Sequence, residues 1–444
     1  MPQETISRSL ARFVYGLSYD TLPAVLPRRV KNLILDALGT AIAGRDMHSS
    51  RMAISLLKDN RGDCSVFGHR GKVPALDAVF VNAVLLNALA MEDFLFSLHP
   101  GQVNVPTAFA VAEQESRSGK ELITALVAGY EVMGRVYLGG RGMPAKFRGT
   151  PVFGPFGAAA AAGKLLKLNE DQLTSALGFT ANFAGGLTQC WLDGTMEGNF
   201  HAGVAARNGI TAAMLAKAGA IASEKALEGD CGFYQAFSGS LNNAGDAVSG
   251  LGERFLIMET CYKPYPVCAF QQIPIEMISR LVNQHNIAPN SIRKVVEKVS
   301  SWEAAFPGGD FAGPFESFGQ ALLSSQFCAA AALLGRPVES PRFYMESYND
   351  TEVLSLARKI TLVGEPERKV PEITVTLNNG EAYCIEEDEV EGTLIPTDQK
   401  IITKFNGLTS DLIRREKAVE IIDQVMSLEE LGNIRELTDR LREV

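Results

Sequence analysis

Two acids, a hydroxyl and an imidazole lie close together in the segment AMEDFLFSLHPGQVNVP, residues 90–106. Glu92 and Asp93 follow a long apolar segment that we predict to be a buried helix. Both carboxylates would then lie at the negative end of its dipole, an unfavourable position that indicates function. With Ser97 and His99 on the short loop that follows, they form a set that can move protons. The alternative is a surface loop in which His99 only caps a neighbouring helix.

Cationic side chains accompany turns and helix starts elsewhere in the chain. Lys263 lies in CYKPYPVCAFQQ, where the prolines fix the backbone and Tyr265 follows two residues later. There it would bind a carboxylate or, if desolvated, act as an acid or base. Lys146 and Arg148 precede a predicted helix in RGMPAKFRGTPVFGPFG, and such cations form an anion pocket with helix-start amides. The alternatives are a structural turn with an exposed lysine and a solvated basic loop.

A second histidine follows a glycine-containing stretch in GTMEGNFHAGVAARNG, which contains His201 and Arg207. A close backbone approach into a helix would direct amides toward an anion. The alternative is a core histidine beside a helix of small residues.

The elements that must position these groups are mostly helices. Amphipathic or small-residue segments follow one another over about the first 260 residues, with a predicted helix end at Gly44 and a capping box at Ser118 and Glu121. The segment GPFGAAAAAGKLLKL has side chains so small that another helix must pack very close to it. After the loop that contains His99, we expect the next helix to start at Pro106.

Strand patterns appear late in the chain. IRKVVEKVSSW and PEITVTLNNGEAYCIEE alternate apolar with polar residues, and Asn379-Gly380 predicts a hairpin turn. The last 45 or so residues return to amphipathic helix. The sequence therefore predicts a mainly α fold, with a large all-α domain of residues 1–262 and 396–444 and a smaller α+β lid domain of residues 263–395.

Composition narrows the function classes. The net charge is −9 and no basic block occurs, so we expect neither nucleic acid nor a membrane as partner. The seven cysteines are scattered without a CxxC pair, which favours reduced thiols in the cytoplasm and argues against a zinc site. The N-terminal residues lack the apolar core of a signal peptide. We predict no metal and no cofactor.

Several segments together resemble the MmgE/PrpD family, which includes 2-methylcitrate dehydratase, cis-aconitate decarboxylase and iminodisuccinate epimerase. The segments are HPGQVNVPTAFAVAEQESRSGKELITALVAGYEVMGRV, VFGPFGAAAAAGKLL, FHAGVAARNG, EGDCGF and KPYPVCAF. The resemblance runs from about residue 5 to the C-terminal helices. It implies a helical domain with an α+β lid, a site between them, a homodimer, and metal-free chemistry on small di- or tricarboxylates.

The family's site residues carry over in part. Asp93-Phe94 and His99 match a loop that commonly reads Asp-Phe-Asp-Asp-Thr before His-Pro. Lys263 matches Lys-Pro-Tyr-Pro, and His201 matches the histidine of Lys-X-Leu-His. The departures are Ala90 for a histidine, Leu95 and Phe96 for two acids, Ser97 for the threonine, Arg148 for a histidine, Gly198 for the lysine and Phe327 for a lid tyrosine.

The reactions of the family share the removal of a proton, or of CO2, beside a carboxylate, and cations stabilise the carbanion. Our first hypothesis is a cofactor-independent lyase, a hydro-lyase acting on a citrate-like hydroxy acid. The alternatives are an epimerase or isomerase of a small dicarboxylate, a decarboxylase, and a family member that binds carboxylates without catalysis. We predict Asp93, His99 and Lys263 as catalytic and Ser97, Lys146, Arg148, His201 and Tyr265 as substrate-binding.

Overall fold

The computed structural model describes residues 4–58, 61–386 and 391–442, and in these ranges the fold is mainly α, as predicted. The helices are α1 (Ile6–Gly16), α2 (Val25–Gly44), α3 (His48–Ser55), α4 (Ala75–Asn87), α5 (Pro100–Gln114), α6 (Gly119–Gly139), α7 (Gly149–Leu165), α8 (Glu170–Phe183), α9 (Gln189–Asp193), α10 (Glu197–Lys217), α11 (Phe233–Ser238), α12 (Gln272–His285), α13 (Ser301–Ala304), α14 (Phe318–Ala321), α15 (Ser325–Leu333), α16 (Pro341–Ser347), α17 (Thr351–Ala357), α18 (Asp398–Thr409), α19 (Arg415–Met426) and α20 (Arg435–Leu441). The strands are β1 (Cys64–Ser65), β2 (Lys72–Val73), β3 (Ile292–Ser300), β4 (Ile360–Glu365), β5 (Glu372–Leu377) and β6 (Ala382–Glu386).

The chain folds into two compact units. The first, which we call the helical unit, comprises Met1–Gly186, Asn199–Tyr262 and Pro396–Val444. The second, the sheet unit, comprises Leu187–Gly198 and Lys263–Ile395. No helix in the described ranges is long and apolar enough to cross a bilayer.

The core of the helical unit is built on close helix packing. A methyl group added to Gly157 of α7 would lie 2.7 Å from the carbonyl oxygen of Gly129 in α6. Asn104 of α5 occupies the same place, with its Oδ1 atom 2.6 Å from the methyl position of either glycine. The predicted close approach to the segment GPFGAAAAAGKLLKL is therefore confirmed, because only glycine leaves room for the neighbouring backbone.

Two helix starts test the sequence rules. The capping box at α6 is confirmed: the Glu121 amide donates to Ser118 Oγ at 3.3 Å and the Ser118 amide donates to Glu121 Oε2 at 2.9 Å. The expected start at Pro106 is wrong, because α5 already begins at Pro100 and Pro106 lies inside it. Proline is favoured at the first helical position, where its missing N–H is not needed. His99 therefore directly precedes the helix.

The C-terminal helices complete the helical unit. Lys404 of α18 pairs with Asp36 of α2, with Nζ and Oδ1 2.6 Å apart, and both side chains are buried. Phe405 packs so tightly on Gly39 that a methyl group there would lie 2.9 Å from its ring. Because a buried cation needs a close counter-charge, this pair fixes how α18 lies on α2.

The sheet unit contains a four-stranded sheet in the order β4-β3-β5-β6. Strand β3 pairs parallel with β4 and antiparallel with β5, and β5 pairs antiparallel with β6. The last pair confirms the hairpin predicted at Asn379-Gly380, where Gly380 has a φ of +93°. Strand β4 was not predicted from the sequence, and neither was the small β1–β2 pair.

Candidate active site

The loop of residues 88–99, between α4 and α5, has a fixed backbone. Its residues Leu95 and Leu98 exchange two backbone hydrogen bonds of 2.9 Å, which closes a tight turn at Phe96 and Ser97. Phe94 pairs in the same way with Cys261, with N···O distances of 2.9 and 2.8 Å. We call this segment the 88–99 loop.

Two residues of the loop have unusual backbone angles. Ala90 has a φ of +54° and Phe96 a φ of +57°, in the left-handed region that non-glycine residues rarely adopt. The cost of such residues is typically about 1–3 kcal/mol each, and they cluster at functional sites. These angles therefore agree with a functional loop.

Asp93 is buried, with 3% of its surface exposed, yet its carboxylate is well supplied with donors. The Tyr130 hydroxyl of α6 donates to Oδ2 at 2.6 Å, and the Gly101 amide in the first turn of α5 donates to Oδ1 at 2.7 Å. Glycine at position 101 permits this close approach, because an added methyl group would lie 2.7 Å from Oδ1 and would displace the carboxylate. The carboxylate thus lies at the positive end of the α5 dipole, which favours its charge.

Burial nevertheless dominates the acidity of this carboxyl. Desolvation raises the pKa of Asp93 to about 7, and the nearby charges of Asp36 and Glu92 raise it further, against the lowering effects of Tyr130 and Gly101. Burial, followed by the charge of Asp93, also raises the pKa of the Tyr130 hydroxyl. Asp93 is therefore poised to exchange a proton near neutral pH.

The imidazole of His99 is half-buried, and two oxygens lie close to its Nδ1 atom. Its Nδ1 atom lies 3.0 Å from the main-chain oxygen of Asp93 and 3.2 Å from Oε1 of Glu92. The main-chain N–H of His99 donates to Thr150 Oγ1 at 3.0 Å. A carbonyl oxygen can only accept, so Nδ1 carries the ring hydrogen. In the neutral ring, Nε2 is therefore the basic nitrogen.

The start of α7 supplies a cation next to this loop. Arg148 immediately precedes α7, its main-chain N–H donates to the Gly186 oxygen at 3.0 Å, and its guanidinium donates to Asn87 Oδ1 at 3.3 Å. A methyl group added to Gly149 would lie 3.6 Å from Ser97 Oγ. Arg148 is thus the residue directly before a helix start that contacts the 88–99 loop at Ser97.

His201 lies near the same helix start. Its Cε1 atom is 3.6 Å from the position of a methyl group on Gly186, the residue whose oxygen accepts from Arg148. Asn87 connects the two segments, because it accepts from Arg148 and donates to the Asn199 oxygen at 3.1 Å. Within the helical unit, the structure brings together five of the predicted site residues, namely Asp93, Ser97, His99, Arg148 and His201.

The other predicted residues have different surroundings. Lys146 is exposed, and its ammonium lies 5.9 Å from the centre of the Phe147 ring. In the sheet unit, Lys263 is only 1% exposed, which rules out the solvent-exposed lysine considered as the alternative. The Tyr265 hydroxyl donates to Glu276 at 2.8 Å, so its proton is already engaged with α12.

Several residues of this site were not predicted from the sequence. Tyr130 has no local signal, since it lies in the middle of a buried helix, and Thr150 is one of many hydroxyl residues. Lys404 donates to the main-chain oxygen of Met91 at 2.5 Å from more than 300 residues away. The role of Gly101 was not predicted either, although its place directly after His-Pro is compatible with a close approach. Arg207, which was considered with His201, instead pairs with Asp77 at 2.9 Å.

Fold and site together define a class: a mainly α protein in which a buried carboxyl and an imidazole lie beside a cationic helix start. The N-terminal domain of the MmgE/PrpD family matches residues 8–244, and the C-terminal domain of that family matches residues 265–429. The chain therefore belongs to the MmgE/PrpD family, and the resemblance seen in its motifs is confirmed.

Similar proteins cover nearly the whole chain. A cis-aconitate decarboxylase-like protein of Aspergillus oryzae is 28% identical over 98% of this chain and 97% of its own length. The cis-aconitate decarboxylase of Homo sapiens is 26% identical over 100% of this chain and 95% of its own length. That of Mus musculus is 25% identical over 100% and 94%, respectively. These relatives are lyases by name.

Proposed function

We propose that this protein is a cofactor-independent lyase that removes a proton beside a carboxylate of a small di- or tricarboxylic acid. The observation that carries the proposal is the arrangement of His99 and Asp93. His99 is held through Nδ1 so that Nε2 is its basic nitrogen, and the adjacent Asp93 has a pKa of about 7. A base and an acid with complementary protonation near neutral pH are what elimination requires.

In the proposed reaction, Nε2 of His99 takes the proton from the carbon next to a substrate carboxylate. The electron pair of the broken C–H bond stays on that carbon and is delocalised toward the carboxylate. It then forms the C=C bond as the neighbouring hydroxyl leaves. General acid–base assistance of this kind contributes roughly 10²–10⁴-fold in rate.

We assign the proton for the leaving hydroxyl to Asp93. At pH 7 a carboxyl with a pKa of about 7 is about half protonated, so it can donate and be reprotonated in each turnover. The hydroxyl then departs as water with that proton. Return of the proton from His99 to Asp93 through solvent balances the cycle.

Cations and hydrogen-bond donors would hold the substrate carboxylates. Arg148 immediately precedes α7, and His201 lies at the same glycine, Gly186. Ser97 lies against the first residue of α7 and would add a hydroxyl. Lys263 is proposed as a catalytic cation on its match to the family motif and its burial in the sheet unit. Such charges stabilise a developing carbanion next to a carboxylate.

Decarboxylation is the second candidate, and the names of the relatives favour it. In that reaction CO2 leaves with its carbon bonded to both oxygens, and the electron pair of the broken C–C bond takes a proton from the acid. The residues needed are the same, except that the base has no proton to remove at the start. Epimerisation would need a second base on the opposite face of the substrate.

One assay set separates these reactions. The purified protein is mixed with a panel of citrate-like and aconitate-like acids while ultraviolet absorbance, CO2 release and deuterium uptake from D2O are followed. New absorbance from a C=C bond without CO2 supports the hydro-lyase, and CO2 release supports the decarboxylase. Deuterium uptake alone indicates an epimerase or isomerase. The absence of all three signals across the panel would contradict catalysis and leave a carboxylate-binding protein.

We also propose a homodimer, as the family resemblance implies. Helix α10 supports this, because Val204, Met214 and Leu215 are exposed apolar side chains on it. Sedimentation equilibrium measures the mass directly. A mass of one chain at micromolar concentration would contradict the proposal.

A further inference from the structure

The acid that partners the imidazole is Glu92, the residue before the predicted catalytic aspartate. Its Oε1 atom lies 3.2 Å from Nδ1 of His99, and the Glu92 side chain is 97% buried. The main-chain oxygen of Asp93 lies 3.0 Å from the same nitrogen. The hydrogen on Nδ1 is thus shared between a carboxylate and a peptide oxygen. Both oxygens are acceptors, so the neutral ring takes the tautomer that carries its hydrogen on Nδ1.

The carboxylate of Asp93 is not available for this role. Both of its oxygens are engaged with other donors, Oδ2 with Tyr130 and Oδ1 with the amide of Gly101. Asp93 contacts the imidazole through its main-chain oxygen. The two adjacent acids therefore face different partners, although nothing in the sequence indicates which of them faces the imidazole.

From this geometry we infer that Glu92 is a positioning residue for proton transfer at His99. It keeps the hydrogen on Nδ1, so that Nε2 stays the base, and it stabilises the imidazolium that forms when Nε2 takes a proton. The role of Glu92 in turnover rests on the proposed function. Its effect on the tautomer and basicity of His99 does not depend on that function. A carboxylate behind an imidazole has this effect wherever the pair is shielded from water.

Among the described residues of the helical unit, the charged or titrating groups near this pair include one on the loop itself and others on α2, α6 and α18. Asp93 belongs to the 88–99 loop, Tyr130 to α6, Asp36 to α2 and Lys404 to α18. Lys404 is paired with Asp36 at 2.6 Å and also binds the Met91 oxygen, which directly precedes Glu92. The ion pair therefore holds the backbone from which the Glu92 side chain extends.

The direct test is nuclear magnetic resonance of the imidazoles in protein labelled with 15N histidine. The chain has five histidines, so His99 is assigned by the signal lost in a His99→Gln variant. We expect the neutral His99 ring to carry its hydrogen on Nδ1. In a Glu92→Gln variant we expect the pKa of His99 to fall by about one unit, because a neighbouring opposite charge is removed.

Glu92→Asp is the conservative variant and keeps the charge. It should restore at least part of the His99 titration, whereas Glu346→Gln, which removes an exposed carboxylate paired with Arg342, should leave it unchanged. Thermal unfolding of each variant identifies any that fail to fold. If Glu92→Gln does not fold, the inference is tested by the His99 titration in Glu92→Asp and by the His99 tautomer in the native protein.

Kinetics give the second readout. With an active substrate, Glu92→Gln should lower kcat roughly tenfold with little change in KM, in line with one unit of basicity. The acid limb of the pH profile should move to lower pH together with the His99 titration. A neutral ring protonated at Nε2, or a His99 pKa unchanged in Glu92→Gln, would overturn the inference. If His99 has the expected tautomer and responds to Glu92→Gln as expected, but the native protein turns over no acid of the panel, the proposed function is overturned and the inference is not.

Discussion

Two buried carboxyls with raised pKa values, one in each unit, have opposite surroundings. Asp93 lies within the 88–99 loop of the helical unit, and Glu297 lies in the middle of β3 in the sheet unit. Burial is the largest cause in both cases, and it raises the pKa of Asp93 to about 7 and that of Glu297 to about 8. Their acidity alone would make them equally strong candidates for catalysis.

The contacts of the two side chains separate them. Asp93 accepts hydrogen bonds from Tyr130 and Gly101, and its peptide oxygen faces an imidazole. Neither oxygen of Glu297 has a hydrogen-bond partner among the described residues. The side chain of Glu297 shares its strand face with Val295 and Val299, and its charge contributes to the raised pKa of the buried Cys328 thiol.

The difference shows that a raised pKa identifies a desolvated group and does not by itself identify a catalytic one. Catalysis also needs donors that hold the group and a second proton-exchanging group beside it. The helical unit has both, whereas Glu297 is an acid that the sheet unit keeps neutral at pH 7.

The largest expected effect compares the two carboxyls directly. Asp93→Asn should lower kcat/KM by roughly 10²–10⁴-fold, because the proposed proton donor is removed while the shape is kept. Glu297→Gln, the matched change in the sheet unit, should stay within about twofold of the native protein. Steady-state kinetics with the best acid of the panel measure both. Equal losses in the two variants would remove the distinction between the sites.

The next effect concerns stability. The pKa of Glu297 is raised on folding, so its favourable contribution is fully present below the ordinary pKa and is lost as the pH rises through about 8. In Glu297→Gln this dependence disappears, and the free energy of unfolding relative to native protein should increase by a few kcal/mol between pH 6 and pH 9. Urea titrations at both pH values measure it. A constant difference would show that Glu297 is hydrated in solution.

A smaller effect is expected when one donor to Asp93 is removed. The Tyr130 hydroxyl lowers the pKa of Asp93, so Tyr130→Phe should raise it by about one unit. Since Asp93 is the proposed acid, the alkaline limb of the kcat/KM profile should move to higher pH. Tyr344→Phe is a suitable control, because this buried tyrosine lies in the sheet unit and its hydroxyl has no hydrogen-bond partner among the described residues. An unmoved limb would assign the proton donation to another group.

The smallest effect concerns the backbone of His99. Thr150→Val removes the oxygen that accepts from the His99 amide and should cost about 1 kcal/mol of unfolding free energy. Thr150→Ser keeps the acceptor and should restore most of it. Thermal and chemical unfolding of the three proteins give the comparison. A loss in Thr150→Ser with none in Thr150→Val would instead attribute the effect to packing of the threonine methyl group, which valine keeps.

The sequence predicted the elements whose rules are local. The capping box at Ser118, the hairpin at Asn379-Gly380 and the close packing of α7 follow from short-range geometry and were confirmed. The predicted start of the helix after His99 was wrong. Pro100 and Pro106 are both prolines that could occupy the first helical position, and in the structure Pro100 does. Strand β4 was missed, since its place in the sheet depends on parallel pairing with β3, far away in the chain.

The chemical groups of the candidate site were visible in the sequence, since Glu92, Asp93, Ser97 and His99 lie within one short segment. Their assignment to partners was not. Which acid faces the imidazole depends on the direction of each side chain, and that direction is set by Tyr130, Gly101 and the backbone pairing with Cys261.

By itself, the sequence determined the family, the mainly α fold and the residue types available for proton transfer, because these follow from local patterns and motifs. Tertiary structure alone decided that Asp93 is desolvated, that Glu92 faces His99 and that Lys404, more than 300 residues away in the chain, supports the loop. Burial and hydrogen-bond geometry determine the pKa values of the site residues, and both depend on residues that are distant in the chain.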